Sequence, residues 1–407
     1  MRAWTELKSL FKDKRGNALI IGAATLPLVL GSAAFAVDSI QMALMKRQLQ
    51  RASDSAALAG AYAVAQTVDP VEAVHHDLDE NFFPILSQPE TVTVGPSGTY
   101  QQTVRVQLTA KRSLPFMSLF THSPSTVTGD ATAAIVQSGN FCMLSLYDGT
   151  DPGIDVNGTA DVTLGCGMAA NSRGSQAVTA GGSSTITAAP IMAVGGLDGT
   201  SNNFVQPTKL QPHSGAQSDP FASVPNPTVP ASCTPGGTLS SGTYPAGNYC
   251  FDAVSIQPSG SATFGDGSTI TVNGGAIDIK GDLTAYSSTL IQTGPNGQAG
   301  DFSMNSQANL KMTAPTSGPY KGIIVYRDRR ATNTLVKING GSTSQFSGAF
   351  YMPSTDLEFT GNSGMNVQCL QMVGRKLIFR GTAQLNNSCN VPGQTSGFLL
   401  TFIKLIA

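Results

Sequence analysis

The ionisable residues best placed for chemistry are Arg327, Asp328, Arg329 and Arg330, the densest run of charge beyond the N-terminus, with the carboxylates of Asp356 and Glu358 further along the chain. An arginine that takes a proton beside acidic residues that bind calcium or act as acid and base would cleave polysaccharides. A solvated strand end or a subunit contact carries the same residue types, and sequence spacing alone does not place two carboxylates at the ~5–10 Å that glycoside hydrolysis requires. The four histidines, His75, His76, His122 and His213, form no H-E-x-x-H pair, and His75-His76 falls on a helical pattern as exposed residues. Neither a G-x-S-x-G elbow nor a G-x-x-x-x-G-K-S/T loop occurs, so serine hydrolases and P-loop NTPases lose support.

The six cysteines fall in local pairs: Cys142 with Cys166, Cys233 with Cys250, and Cys369 with Cys389. Without a C-x-x-C motif they suggest disulfides outside the cytoplasm rather than a zinc ribbon or a thioredoxin-like site, and this pairing is one of several that six cysteines allow. Charged residues make up 12% of the chain and the net charge is −1, which leaves no basic field to attract nucleic acid. On these grounds the chain has no assigned catalytic residue, cofactor or metal site.

The elements that position these groups begin with Asn17 to Val37, NALIIGAATLPLVLGSAAFAV, a run of 21 residues without a charge. About 20 apolar residues rising ~1.5 Å each cross a hydrocarbon core of roughly 30 Å, so the run predicts one transmembrane helix anchored by Asn17, Leu19, Ile20, Ile21, Pro27, Leu28 and Val37. Before it stand Arg2, Lys8, Lys12, Lys14 and Arg15 against Glu6 and Asp13, which places the N-terminal tail in the cytoplasm and the rest outside it. The alternative is a cleaved signal peptide, for which Ala34-Phe35-Ala36 has the A-x-A form. Beyond the span, Met42, Met45, Leu49, Ala52, Ala56, Ala59 and Ala63 recur at spacings of three and four, a narrow stripe on a continuing stalk helix. Its small residues suit close packing, either on the chain's own next domain or on a helix of another subunit. From Asn17 to Gln66 the helix would run about 75 Å, bent at Pro27.

Arg15-Gly16-Asn17-Ala18, the Pro27-containing span, Ala36-Val37-Asp38 and Leu49-Gln50-Arg51-Ala52-Ser53-Asp54-Ser55-Ala56-Ala57-Leu58-Ala59-Gly60-Ala61 together resemble the N-terminal Tad segment of TadE/TadG-like proteins of Flp (tight adherence) pilus assembly. The resemblance covers roughly residues 13–66, about an eighth of the chain. Gly322 to Arg330, Gly348 to Pro353 and Phe359 to Ser363 resemble the distal part of such chains more distantly. The resemblance implies an inner-membrane protein of a bacterial pilus system with a structural or assembly role, whose partners are the membrane and other assembly proteins, or itself through the stalk helix. Prepilin-like relatives carry a glutamate at the fifth position after a cleaved glycine; here Gly16 is followed at that position by Ile21, which favours a permanent anchor. The von Willebrand A domain of some relatives needs Asp-x-Ser-x-Ser, and Asp266-Gly267-Ser268-Thr269-Ile270 fails at its last residue.

Residues 67–138 read as a small pilin-like α+β module: a helix from Pro70, strands over Thr91–Val94, Tyr100–Ala110 and Ser125–Val136, and a short apolar turn at Leu114–Phe120. From Phe141 short strands alternate with glycine turns. Val156 to Leu164 is echoed by Val178 to Ile186 at an offset of 22, and Leu357 to Gly361 by Leu377 to Gly381 at an offset of 20. Such periods predict a right-handed parallel β-helix, with an antiparallel sandwich as the alternative. The Pro-rich residues 198–248 read as an excursion tied off by Cys233 and Cys250, and Gly397–Ala407 as a cap on the solenoid end.

The expected fold class is therefore α+β/mainly β. It comprises a cytoplasmic basic tail at 1–16, a transmembrane helix at 17–38, a stalk helix with a pilin-like module at 39–138, and a β-solenoid at 139–407. The expected function is non-catalytic pilus assembly at the inner membrane with the C-terminal region periplasmic or extracellular. A surface carbohydrate-binding adhesin or a β-helix polysaccharide lyase is the alternative.

Overall fold

The computed structural model describes residues 17–406 apart from 67, 82–85, 120–122, 332–334, 340–343, 362–363 and 389–396, and the chain divides into two compact units, Met1–Val136 with Phe402–Ala407, and Gln137–Thr401. The expectations for the basic tail 1–16, for Phe120, for His122, for Asn362 and Ser363, for Cys389 and for the side chains of Asn17, Leu19 and Ile20 lie outside the described residues.

The first unit is built on helix α1 (Asn17–Ala65), which carries Pro27. Helix α2 (Pro70–Glu80) follows; the Asp69 side chain accepts the Val71 N–H at 2.8 Å and Pro70 fills the first turn, so the start is fixed by an N-cap and a preset φ. Strands β1 (Thr91–Ser97), β2 (Tyr100–Arg112) and the first part of β3 (Ser125–Ser145) form an antiparallel sheet. Val104, Val106, Leu108 and Ala110 alternate along β2 and are buried in the core shared with α1 and α2, the two valines and the leucine each worth up to roughly 1.5–3 kcal/mol of burial.

Two glycines set how closely helix meets sheet. A Cβ on Gly129 would lie 2.5 Å from the Leu49 carbonyl oxygen, and one on Gly60 would lie 2.8 Å from Val104 Cγ1. The buried face of α1 comprises Met45, Leu49, Ala52, Ser53, Ala56, Ala57, Gly60, Ala61 and Ala63, with Met42 and Ala59 half-buried. The sequence stripe and this face coincide from Met45 to Ala56; beyond it the contact shifts by one residue toward Ala57, Gly60 and Ala61 because glycine admits the sheet there. The neighbour on this face is the chain's own sheet and α2.

The second unit is a parallel β-solenoid of about ten turns with three strand ladders. One ladder runs, in spatial order, through Leu197–Asp198, Val178–Ala180, Ile154–Val156, Leu377–Phe379, Asp356–Phe359, Leu335–Ile338, Phe302–Met304, Ile277–Ile279, Ala253–Ile256 and Thr238–Leu239. The chain thus enters the solenoid part-way along it, winds out to Leu197, reappears at the far end at Thr238, and winds back until Leu377 pairs with Ile154. Residues 199–237 must cover the nine steps between the two ends, about 43 Å at ~4.8 Å per rung. Leu357 pairs with Leu377 and Phe359 stacks on Phe379 at 4.9 Å, matching the repeat of 20. The other echo is corrected: Val178 pairs with Ile154 rather than Val156, an offset of 24 that keeps the same residues inside because side chains alternate with period two.

The seam between the two arms is cross-linked. Lys376 and Arg380 pair with Asp151 and Asp155 at 3.0 and 2.9 Å, and Ser145 Oγ donates to the Arg375 carbonyl at 2.7 Å. Asn387 Nδ2 donates to the Leu370 carbonyl at 2.7 Å beside the Cys142–Cys166 disulfide. Cys233 bonds to Cys250; Cys369 is also disulfide-bonded.

Two further expectations are corrected. The terminal strand Phe398–Leu405 is no end cap: it leaves the solenoid near the seam, and Ile406 N–H donates to the Thr132 carbonyl in the first unit. The Pro-rich stretch is shorter than 198–248, because Leu210–Gln211, Thr238–Leu239 and Gly242–Tyr244 are solenoid strands. It acts as a strap along one face. Asn171 and Gln217 exchange two hydrogen bonds of 2.8 Å, Tyr351 Oη donates to Asp219 at 2.7 Å, and Phe221 packs on the Tyr351 ring. Beneath it Ile323–Arg327 is buried at every position, whereas strands of the ladder through Leu377, such as Asp356–Phe359, alternate buried and half-buried residues.

Candidate functional site: an uncovered apolar helix and an internal charge cluster

From Ile21 to Leu44 helix α1 shows apolar side chains on all sides. Leu28 is 73% exposed and Phe35 70%, with Leu26, Val29, Leu30, Ile40 and Leu44 more than half exposed. Alanine, leucine and valine favour or tolerate the helix, and its polar members satisfy themselves locally: Thr25 Oγ1 donates to the Ile21 carbonyl at 2.8 Å and Ser32 Oγ to Val29 at 2.9 Å. The helix is long and apolar enough to cross a membrane. Contiguous apolar surfaces of this extent are rare on soluble monomers and mark contact with a membrane or another protein. Asp38, where the charge-free run ends, is turned inward: its carboxylate accepts the Met117 N–H at 2.6 Å and the Phe116 N–H at 3.4 Å. Charges exposed on the helix resume only at Lys46 and Arg47.

The Arg327–Arg330 cluster lies inside the solenoid unit and is locked. Arg327 is fully buried; its guanidinium donates to the Gly300 carbonyl at 2.9 Å, the Ala299 carbonyl at 3.3 Å, Thr355 Oγ1 at 3.2 Å and the Gln292 amide oxygen. Burial lowers its pKa to about 10, so it stays charged at neutral pH. Asp328 is also buried, and burial alone would raise its pKa; donors from Arg330 (2.6 Å) and Thr293 (2.6 Å) outweigh this and hold the carboxyl below its ordinary range. Arg329 clamps the strap by donating to the carbonyls of Phe221, Ala222 and Val224 at 3.0–3.1 Å and to Tyr351 Oη at 2.9 Å. Burial drives the Tyr351 hydroxyl far above its ordinary pKa.

The structure does not gather the sequence candidates into a catalytic group. Asp328 ends a strand of the strapped ladder, whereas Asp356 and Glu358 lie on another ladder, where Asp356 pairs with Arg375 at 2.5 Å. His75 contacts Glu90 at 3.0 Å in the first unit. Among the described residues no group of three or more His, Cys, Asp or Glu is placed to hold a metal. What sequence reading missed was the strap. Its signal was present in the strapped strands, where Ile323–Tyr326 and Ala349–Met352 read IIVY and AFYM, continuous apolar runs instead of alternating ones.

The model of the Tad family (TadE/G-like, Flp pilus assembly) matches residues 16–64, nearly the whole of α1. No curated protein and no solved structure matches the chain.

Proposed function

We propose that this protein is a membrane-anchored, non-catalytic component of a Tad/Flp-type pilus assembly system, held in the bacterial inner membrane by one helix. The observation that carries this reading is the coincidence of the Tad match at 16–64 with a helix whose residues 21–44 are apolar and uncovered. The basic tail before the span and the disulfides of the solenoid support an N-terminus in the cytoplasm and a folded region in the periplasm or beyond it. The anchor residues Ile21, Pro27, Leu28 and Val37 face lipid or a partner helix. The stripe from Met42 to Ala63 serves the chain's own module, so contacts with other assembly proteins fall on the remaining faces of α1. The locked state of Arg327 and Asp328 supports a scaffold role for the solenoid over a lyase role.

Cell fractionation with N-terminal mass determination tests this. An intact N-terminus in the inner-membrane fraction, with the solenoid open to protease from the periplasmic side, is the expected result. A mass starting at Asn17 would replace the permanent anchor with a processed pilus subunit, and a soluble chain starting after Ala36 would overturn the anchor.

A further inference from the structure

Leu114, Pro115, Phe116 and Met117 connect β2 to a short turn of 3₁₀ helix at Met117–Leu119, and the connection is pinned to α1 by the two backbone bonds to Asp38. Leu114 is buried, but Phe116 and Met117 are each 40% exposed, and with Gly31, Ala34, Phe35 and Met42 they line an apolar groove of about 270 Å³. Asp38 lies eleven residues beyond Pro27, the midpoint of the charge-free run, which is ~16 Å along a helix. That is half the ~30 Å hydrocarbon thickness, so an upright span places Phe116 and Met117 at the boundary between acyl chains and headgroups. Lys111 and Arg112 immediately precede the wedge, Lys46 and Arg47 stand two turns further along the helix, and all four are exposed. An aromatic and a methionine at the boundary with a basic rim above them complement anionic lipid headgroups, each cation contributing about 1 kcal/mol near such a surface.

We infer that the Leu114–Met117 connection is a second membrane contact, inserting Phe116 and Met117 between the lipids of the distal leaflet while Lys111 and Arg112 engage anionic headgroups. The inference rests on the anchor reading, and Asp38 acts as the tether that fixes the wedge to the span. Its inward-facing carboxylate explains why the apolar surface continues past the first charge to Leu44.

The test uses the full chain carrying Trp4→Phe, reconstituted in phosphatidylcholine vesicles containing about a third phosphatidylglycerol, with an indole introduced by Phe116→Trp or, separately, by Leu28→Trp. Lipids brominated near the headgroup should quench the first reporter at least twofold more than lipids brominated deep in the chain, and the reverse should hold for the second. Lys111→Gln with Arg112→Gln should reduce quenching of the first reporter to its level in neutral vesicles. Quenching at 28 without quenching at 116 overturns the wedge and leaves the anchor standing. Quenching at neither overturns the anchor reading and the wedge with it. Quenching at 116 that fades as protein is concentrated at fixed lipid overturns the lipid assignment and gives the groove to a second copy.

Discussion

Phe35 and Arg327 are each on the side of the protein surface where their chemistry fits worst in water: the N-terminal helix turns large apolar side chains outward, and the solenoid closes over a guanidinium. Both depart from the usual distribution, in opposite directions. Among the described residues the Leu114–Met117 connection meets the apolar stretch from Ile21 to Leu44 around Asp38, and most of that surface is left open to an environment outside the chain. Arg327 and Asp328 are buried, and the acceptors and donors around them come from the solenoid itself, so their environment is already supplied. On the proposed reading the exposed apolar surface is the end that does the work and the charge cluster is a fixed joint, which inverts the ordinary expectation that charges do the work.

Four experiments would break or sharpen that contrast. Arg327→Met should destabilise the solenoid by about 3–5 kcal/mol in denaturant unfolding, since it leaves the Gly300 and Ala299 carbonyls and the Gln292 amide oxygen without their donor; a neutral result would mean the charge is not embedded. Leu28→Arg should cost about 3 kcal/mol of membrane insertion and shift protein out of the membrane fraction, whereas the same change in a solvated helix would leave partitioning alone. Arg329→Gln should loosen the strap by about 1–2 kcal/mol, seen as faster hydrogen exchange at 213–224 with the ladders unchanged. The smallest effect is the acid response. Because the Asp328 carboxyl titrates lower when folded, its contribution is present at pH 7 and is lost as pH falls below about 4 through the folded value. Asp328→Asn should therefore narrow the stability difference between pH 7 and pH 3.

The long apolar helix, the stripe from Met45 to Ala56, the strands of the first sheet and the β-solenoid were legible because each has a period of its own: no charge over 21 residues, then spacings of three and four, then two, then about twenty. The Leu357 and Leu377 repeat gave true register because the strands are consecutive turns with a short loop between them. The seam was not legible. Parallel rungs present nearly equivalent edges, so nothing local to Ile154 says that Leu377 takes the edge opposite Val178. The strap hid for a related reason, since its proline content describes an extended path without saying what lies beneath. The role of Arg327 to Arg330 followed the same pattern. Residue types announced reactivity, and only the acceptors around them, contributed from positions as distant as Phe221 and Gln292, showed that Arg327 and Arg329 are engaged in holding the fold.

The position of the seam also sets a clock on biosynthesis. The rung containing Ile154 is made early, yet the strand that completes its edge, starting at Leu377, emerges 223 residues later. At ~5–20 residues per second that edge stands open for about 11–45 s in every chain made, a template for stray strand pairing throughout. The Cys142–Cys166 bond joins two strands of the waiting arm, so it can hold that arm together before its partner exists.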